Sequence, residues 1–325
     1  MIRVKSIAKY LPGPPIHSHE IEERLGWKPG WIEKNSGVMT RYHASAEDSL
    51  ISMGKQALQQ ALDQVDMPAE ELDLLIFASA CFEHPIPHTA CLLKQAMDWN
   101  HLPFPAFDVD GTCLGFLHAL EIASAFIETG RYANIAIVNS EMASRSLDPE
   151  DQKTYSLFGD GAVATIVTAG TLPQPNQSYF INFSEGARFA HVPAGGSEML
   201  LTRLSNPPAS YFFKMEGRKL LKLTFQQLDN FIHTVEDRFQ QAVGTYAKII
   251  PHQASRLGMD MFLKRFNLTD QQVHLNLHRY GNCISASIPL GLCDLIQEEG
   301  MAPHQEIILM GTAAGLTMGA ITLET

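Results

Sequence analysis

The sequence predicts an internally duplicated α/β fold, and three observations carry that expectation. Short apolar runs rich in branched residues alternate with stretches of helical period, the same order returns in the second half of the chain, and a glycine-rich segment near residue 160 has an echo near residue 318. Strands joined through helices lie parallel in a sheet, with the helices packed on its faces.

Residues 72–77, 107–109, 135–138 and 163–167 read as buried strands, each a short apolar run. Between them, 50–65 has the helical period. The stretch 114–129 repeats apolar residues at Leu117, Leu120, Ala123, Phe126 and Ile127 until Gly130 stops it. The second half offers a strand at 179–183, a long helix at 217–240, a strand at 248–251, helices after Ser255 and Ser285, and closing strands at 307–310 and 316–323. Phe158-Gly159-Asp160-Gly161-Ala162 leads into one strand much as Ala314-Gly315-Leu316 leads into another. The Pro-, Gln- and Ser-rich stretch 171–178 is the expected join, giving halves 1–170 and 178–325.

With 325 residues, 45% of them hydrophobic, the chain can bury a sizeable core. No stretch reaches the roughly 18 apolar residues that a membrane helix needs, so a soluble cytoplasmic protein is expected. Five cysteines, without a CxxC pair, signal neither a disulfide framework nor a zinc site. Among thirteen histidines, neither the group Cys81, His84 and His88 nor the group His17, His19 and Glu20 makes a recognisable ligand set, so no metal is expected. A formal charge of -11 and a pI near 5.6 argue against nucleic acid as the main partner.

Cys113 stands just after a predicted strand and opens a predicted helix, where free N–H groups and the helix dipole favour a thiolate. Gly111 and Gly115 allow a sharp turn there. Taken alone, such a cysteine is an ordinary small hydrophobe. His252, at the end of a predicted strand, and Asn282, in a loop before a helix, are likewise ordinary one at a time. Strand-end loops of a duplicated α/β fold can bring all three to one point.

The motifs around these residues resemble the β-ketoacyl-(acyl carrier protein) synthase III family of thiolase-fold condensing enzymes. Residues 106–116 are similar to its nucleophile segment. His252 falls in Pro251-His252-Gln253-Ala254 and Asn282 in Arg279-Tyr280-Gly281-Asn282. Residues 158–162 resemble another family signature, and Trp31-Ile32 with Ser36-Gly37-Val38 resembles the amino-terminal cofactor loop. The order and spacing match along nearly the whole chain.

The resemblance implies a five-layered α/β/α/β/α thiolase-like architecture and a homodimer. It also implies an acyltransferase without a tightly bound cofactor, whose substrates are acyl-CoA or acyl-carrier-protein thioesters. Cys113 would be acylated, with Cys113 and Gly315 supplying the oxyanion N–H groups. His252 and Asn282 would then stabilise the enolate formed from a malonyl thioester, in fatty acid or related secondary-metabolite biosynthesis. Acyl transfer to an alcohol or amine and a non-decarboxylative condensation remain alternatives. A cysteine hydrolase shares the residue types, but Thr112-Cys113-Leu114 lacks the flanking protease motif. A non-enzymatic scaffold is disfavoured because all three residues are present.

Further expectations follow from the same resemblance. Trp31, Ile86, Phe158 and Ser285 are assigned to substrate binding, with Ile86 crossing to the partner subunit's acyl pocket. Carrier-protein docking is assigned to Lys214, Arg218, Arg256, Lys264 and Arg265, with Lys219 and Lys222 nearby. Acyl carrier protein is thus an expected partner. Asp110-Gly111-Thr112 and Ala313-Ala314-Gly315-Leu316 depart from the family's three alanines and its triple glycine with Phe. Asn35 and Gln152 stand where the family has arginines around coenzyme A, and Lys153 or Arg145 are candidate substitutes.

Overall fold

A computed structural model describes residues 1–199 and 208–325. Its strands, in chain order, are β1 (Ile2–Tyr10), β2 (Ile16–His17), β3 (Thr40–Arg41), β4 (Leu74–Phe77), β5 (Ala106–Asp108), β6 (Ile135–Glu141) and β7 (Gly161–Ala169), then β8 (Ser178–Asn182), β9 (Ala190–His191), β10 (Lys214–Met215), β11 (Ile249–Pro251), β12 (Glu306–Ala313) and β13 (Thr317–Glu324). The helices are α1 (Ser18–Leu25), α2 (Trp31–Ser36), α3 (Leu50–Asp63), α4 (Thr89–Ala96), α5 (Gly115–Glu128), α6 (Gln152–Tyr155), α7 (Gly217–Phe239), α8 (Arg256–Phe266), α9 (Leu277–Tyr280) and α10 (Ser287–Gln297).

Nine strands share a sheet in the order β11-β12-β13-β1-β7-β6-β4-β5, with β8 also on β13. Its two parts meet through a single register pair, Arg3 with Glu324. In the first part β4 and β6 are parallel, while β7 pairs antiparallel with both β6 and β1. In the second, β11 and β12 are parallel, while β13 pairs antiparallel with both β12 and β8. The strands β4, β6, β7 and β1 therefore have counterparts in β11, β12, β13 and β8, which is the duplication. The expected parallel pairing holds only where a helix crosses between strands. β13 follows β12 through a tight turn, and β7 follows β6 through a loop whose only α-helix is the four-residue α6, and both run back antiparallel.

Strand periodicity explains the layering. Leu74 and Ile76 face a central core, whereas Leu75 and Phe77 face an outer one. Likewise Ile307 and Leu309 face the centre while Ile308 and Met310 face outward. Burial on both faces makes these strands read as continuous apolar runs. The central layer holds α5 and α10, with Leu117, Leu120, Ile288 and Leu292 in one cluster. Helices α3 and α4 cover one outer face through Met53, Leu58 and Leu93. Helices α7 and α8 cover the other through Phe231, Val235 and Phe262. The result is five layers, α/β/α/β/α. No helix among the described residues is long and apolar enough to cross a membrane.

Candidate active site

After β5 the chain makes a 3-10 turn over Thr112–Leu114 and enters α5 directly. Thr112 takes φ 47°, a left-handed conformation that β-branched residues rarely adopt. Its N–H donates to Asp110 Oδ1 at 2.9 Å, which helps to hold the turn. Ile284 at φ 50° and Leu316 at φ 45° are equally unusual. These three bulky residues lie next to Cys113, two positions after Asn282 and directly after Gly315. Strain of about 1–3 kcal/mol at each persists only where the surroundings enforce it, commonly at functional sites.

Packing brings the segments together. The turn bearing Cys113 lies against the 3-10 turn Ile284–Ala286 and against β12. His252 is held at the end of β11 by its N–H to Met310 O at 2.8 Å. Gly311 opens the space, since a Cβ there would sit 2.5 Å from His252 Cβ and 3.2 Å from Leu114 Cδ2. Asn282 pairs in parallel with Phe158, donating to Leu157 O at 2.8 Å and accepting from Gly159 N–H at 3.2 Å. Its Oδ1 accepts from Ile284 N–H at 2.9 Å and from Ser287 Oγ at 3.4 Å. The acceptor end of the amide is therefore occupied, leaving Nδ2 as the donor without a protein acceptor among the described residues.

Electrostatics separate these groups. Burial, with the charges of Glu141 and Asp110, pushes the Cys113 thiol up to about 12, against the opposing N–H groups of Ala314 and Cys113. Desolvation thus outweighs the helix-start effect that favours a thiolate, so the resting group is the neutral thiol. Through its N–H on the sulfur, Ala314 joins Gly315 as a candidate for the second oxyanion donor. Gly315 makes the turn there at φ 85°. His252 is 3% exposed, and burial drives it down to about 4, so it is an uncharged imidazole at neutral pH. Neither ring nitrogen has a protein partner among the described residues.

Sequence reasoning missed Glu141, which is fully buried behind the site. Its Oε1 accepts from Ala80 N–H at 2.8 Å and Ser285 Oγ at 2.5 Å, and its Oε2 accepts from Cys81 N–H at 3.1 Å. Burial pushes the carboxyl up to about 7 despite these donors. Asn139-Ser140-Glu141 continues the apolar run 135–138. From sequence, that polar stretch is indistinguishable from a solvated strand end.

Other assigned residues lie at varied places. Ser285 is fully buried and its hydroxyl is engaged by Glu141 and, at 3.2 Å, by Asn139 Nδ2, so it backs the site rather than opening onto it. Phe158 is buried edge-on against Phe213, ring centroids 5.3 Å apart. Ile86 is 88% exposed. Trp31 begins α2 and meets Trp27 edge-on, and Trp27 meets Tyr155, at 6.0 Å in each case. Trp27 and Tyr155, absent from the sequence assignment, extend that aromatic patch, and Arg24 donates to the Tyr155 hydroxyl at 3.1 Å. Asn35 donates back to Trp31 O at 2.7 Å. Arg145 donates to Ser45 O and Asp48 O, which occupies this candidate substitute, whereas Lys153 is exposed.

Three of the five docking cations have acidic neighbours. Arg265 forms a two-armed pair with Asp229, which ties α8 to α7, while Arg256 lies 3.7 Å from Asp260 and Lys214 lies 3.9 Å from Asp148. Arg218 and Lys264 have no ion pair among the described residues. There, too, no group of three or more His, Cys, Asp or Glu is placed to hold a metal ion.

Comparison with known proteins agrees with this geometry. The model of the 3-oxoacyl-[acyl-carrier-protein (ACP)] synthase III family matches residues 107–188, and the model of its C-terminal part matches 241–325. β-Ketoacyl-[acyl-carrier-protein] synthase III of Rhodopirellula baltica is 28% identical, covering 98% of this chain and 96% of its own. The Helicobacter pylori protein of the same name is 29% identical with the same coverage. The crystal structure of 3-oxoacyl-[acyl-carrier-protein] synthase III from Aquifex aeolicus superposes with a TM-score of 0.88 at 27% identity over 100% of both chains. A priming β-ketosynthase from the R1128 polyketide pathway shares the fold, with a TM-score of 0.90 at 22% identity. With its motifs in order, its duplicated five-layered fold and both family models matched, the chain belongs to the 3-oxoacyl-[acyl-carrier-protein] synthase III family.

Proposed function

We propose that this chain is an acyltransferase that condenses a Cys113-bound acyl group with a malonyl thioester, releasing carbon dioxide and a β-ketoacyl thioester for fatty acid or related biosynthesis. One observation carries the reading. A partly exposed Cys113 lies in a turn packed against β12, whose Met310 holds the buried neutral imidazole of His252, and against the turn that follows Asn282, an amide with no protein acceptor for its donor end among the described residues.

In the first half-reaction the Cys113 sulfur attacks the carbonyl of an acyl thioester. The bond to the donor's carrier breaks and the carrier leaves as a thiol, taking up the proton that Cys113 gives. The carbonyl oxygen is held by the Cys113 N–H together with that of Ala314 or Gly315. In the second, the malonyl carboxylate leaves as carbon dioxide and its electron pair passes into an enolate. The enolate oxygen receives hydrogen bonds from His252 and Asn282 Nδ2. An uncharged imidazole still has one N–H to donate, so its low pKa suits this role. The enolate carbon bonds to the acyl carbon, the bond to Cys113 breaks, and the sulfur regains a proton.

Acyl carrier protein is the carrier inferred for both thioesters, since Asn35 and Gln152 place no guanidinium where the family resemblance has its coenzyme A arginines. The exposed Arg218 and Lys264 then remain for an acidic carrier. A cytoplasmic homodimer completes the reading. Intact-protein mass spectrometry after incubation with matched acyl-CoA and acyl-carrier-protein donors tests it. The expected result is one acyl adduct on Cys113, faster from the carrier protein. No adduct from either donor would refute the reading.

A further inference from the structure

We propose that Glu141 is a positioning residue of this site: its buried carboxylate ties the end of β6 to the 78–81 segment and to the turn that follows Asn282. The inference deepens the reading of the same site and rests on it for the condensation step.

Three segments converge on one carboxylate. Ala80 and Cys81 N–H groups fix the chain after β4, and the Ser285 hydroxyl fixes the 3-10 turn Ile284–Ala286. Asn139 reinforces the cluster by donating to Ser285 Oγ and to Ala78 O. The same turn supplies the Ile284 N–H that orients the Asn282 amide. A fully buried acid with these donors and no cation among its hydrogen-bond partners is costly, and an apolar residue would avoid that desolvation. A shared anchor accounts for its place.

The charge acts on its neighbours as well. Burial is the main cause that holds the Cys113, Cys81 and Cys283 thiols up; Glu141 adds to it at all three, Asp110 at Cys113, and Asp160 at Cys81 and Cys283. His252, from the second half of the fold, stays neutral and supplies no opposing charge. Because burial brings Glu141 itself up to about 7, its charge is present above neutral pH and fades below it.

Alkylation of Cys113 by iodoacetamide reads this charge without any acyl substrate, so it can succeed or fail independently of the proposed function. Removing the negative charge that holds the thiol up lowers its pKa, taken here as roughly one unit. Thiolate then rises about tenfold while its nucleophilicity falls about threefold, a net gain of about threefold. Glu141→Gln is therefore expected to alkylate about threefold faster than wild type at pH 8.5 and at the same rate at pH 6. Ser285→Ala keeps the carboxylate with its Ala80 and Cys81 donors and is expected to speed alkylation less than Glu141→Gln does, yet to lose at least tenfold in condensation while still forming acyl-enzyme. Equal rates for Glu141→Gln and wild type at pH 8.5, or equal acceleration in both variants, would overturn the electrostatic part. Unimpaired condensation by Ser285→Ala would overturn the positioning part.

Discussion

Asn282 is paired backbone to backbone with Phe158, although the two lie in different halves of the chain. Leu157 O accepts the Asn282 N–H and Gly159 N–H donates to Asn282 O, so the loop preceding β7 clamps the loop that carries the amide. The glycine-rich segment 158–162 therefore has a mechanical purpose. It lets two backbones touch where side chains would hold them apart.

Gly159→Ala tests that clamp. A Cβ at this position would lie 2.2 Å from Tyr280 O and 3.2 Å from Arg41 Cβ. Backbone cannot swing away as a flexible side chain can, so the two loops must separate. Overpacking of this kind costs about 1–3 kcal/mol. Urea unfolding is expected to show a loss of that size, and condensation is expected to fall further than acylation because Asn282 moves more than Cys113. Equal loss in both half-reactions would contradict the clamp.

The proposed division of labour has its own signature. Cys113→Ala should give no acyl adduct. His252→Ala and Asn282→Ala should still be acylated yet lose condensation by at least about a hundredfold, since each removes a donor to the developing enolate. Mass spectrometry follows the adduct, and product formation from a malonyl thioester follows the second step. Equal loss of acylation in all three variants would refute separate roles.

Much of the fold was legible because buried strands and helices leave plain periodicities. The runs 135–138 and 163–167 lie within β6 and β7, and 114–129 overlaps α5. Strand direction was less so: nothing in the apolar runs distinguishes a crossover from a return, and β7 and β13 proved antiparallel. In the site, the nucleophile turn and the loops of His252 and Asn282 were read from motifs. Glu141 was not, because its partners are the N–H groups of Ala80 and Cys81 and the hydroxyl of Ser285, remote in sequence. Ala314 entered as a candidate beside Gly315 only in the folded chain, because the register of a tight turn by one residue is invisible in the sequence.

Ile86, 88% exposed beside a 55% exposed Phe82, presents apolar surface at the mouth of a loop that its own chain does not cover. Such a patch fits a partner subunit. The protein is expected to sediment as a dimer at micromolar concentration. Ile86→Asp is expected to slow acylation by long-chain donors about tenfold while leaving thermal unfolding of the subunit unchanged. A fully active monomer would refute the shared pocket.

His252 supplies a pH test of the buried neutral imidazole. Its folded pKa of about 4 lies below an unfolded value near 6.5, so on acidification the unfolded chain takes up a proton that the folded one refuses. The contribution is intact above pH about 6.5 and is lost progressively as pH falls toward 4, by about 3 kcal/mol in all. Glu141 has the opposite sign, since a folded value of about 7, above the ordinary 4.5 of a glutamate carboxyl, favours the fold at low pH. Wild type alone would therefore show a muted slope. The difference between wild type and His252→Gln removes the Glu141 contribution common to both. Urea unfolding should find that wild type loses about 3 kcal/mol relative to His252→Gln between pH 7.5 and pH 4. Parallel stability curves for the two proteins would mean that the imidazole is charged or solvated in the fold, and would remove it as the neutral donor to the enolate.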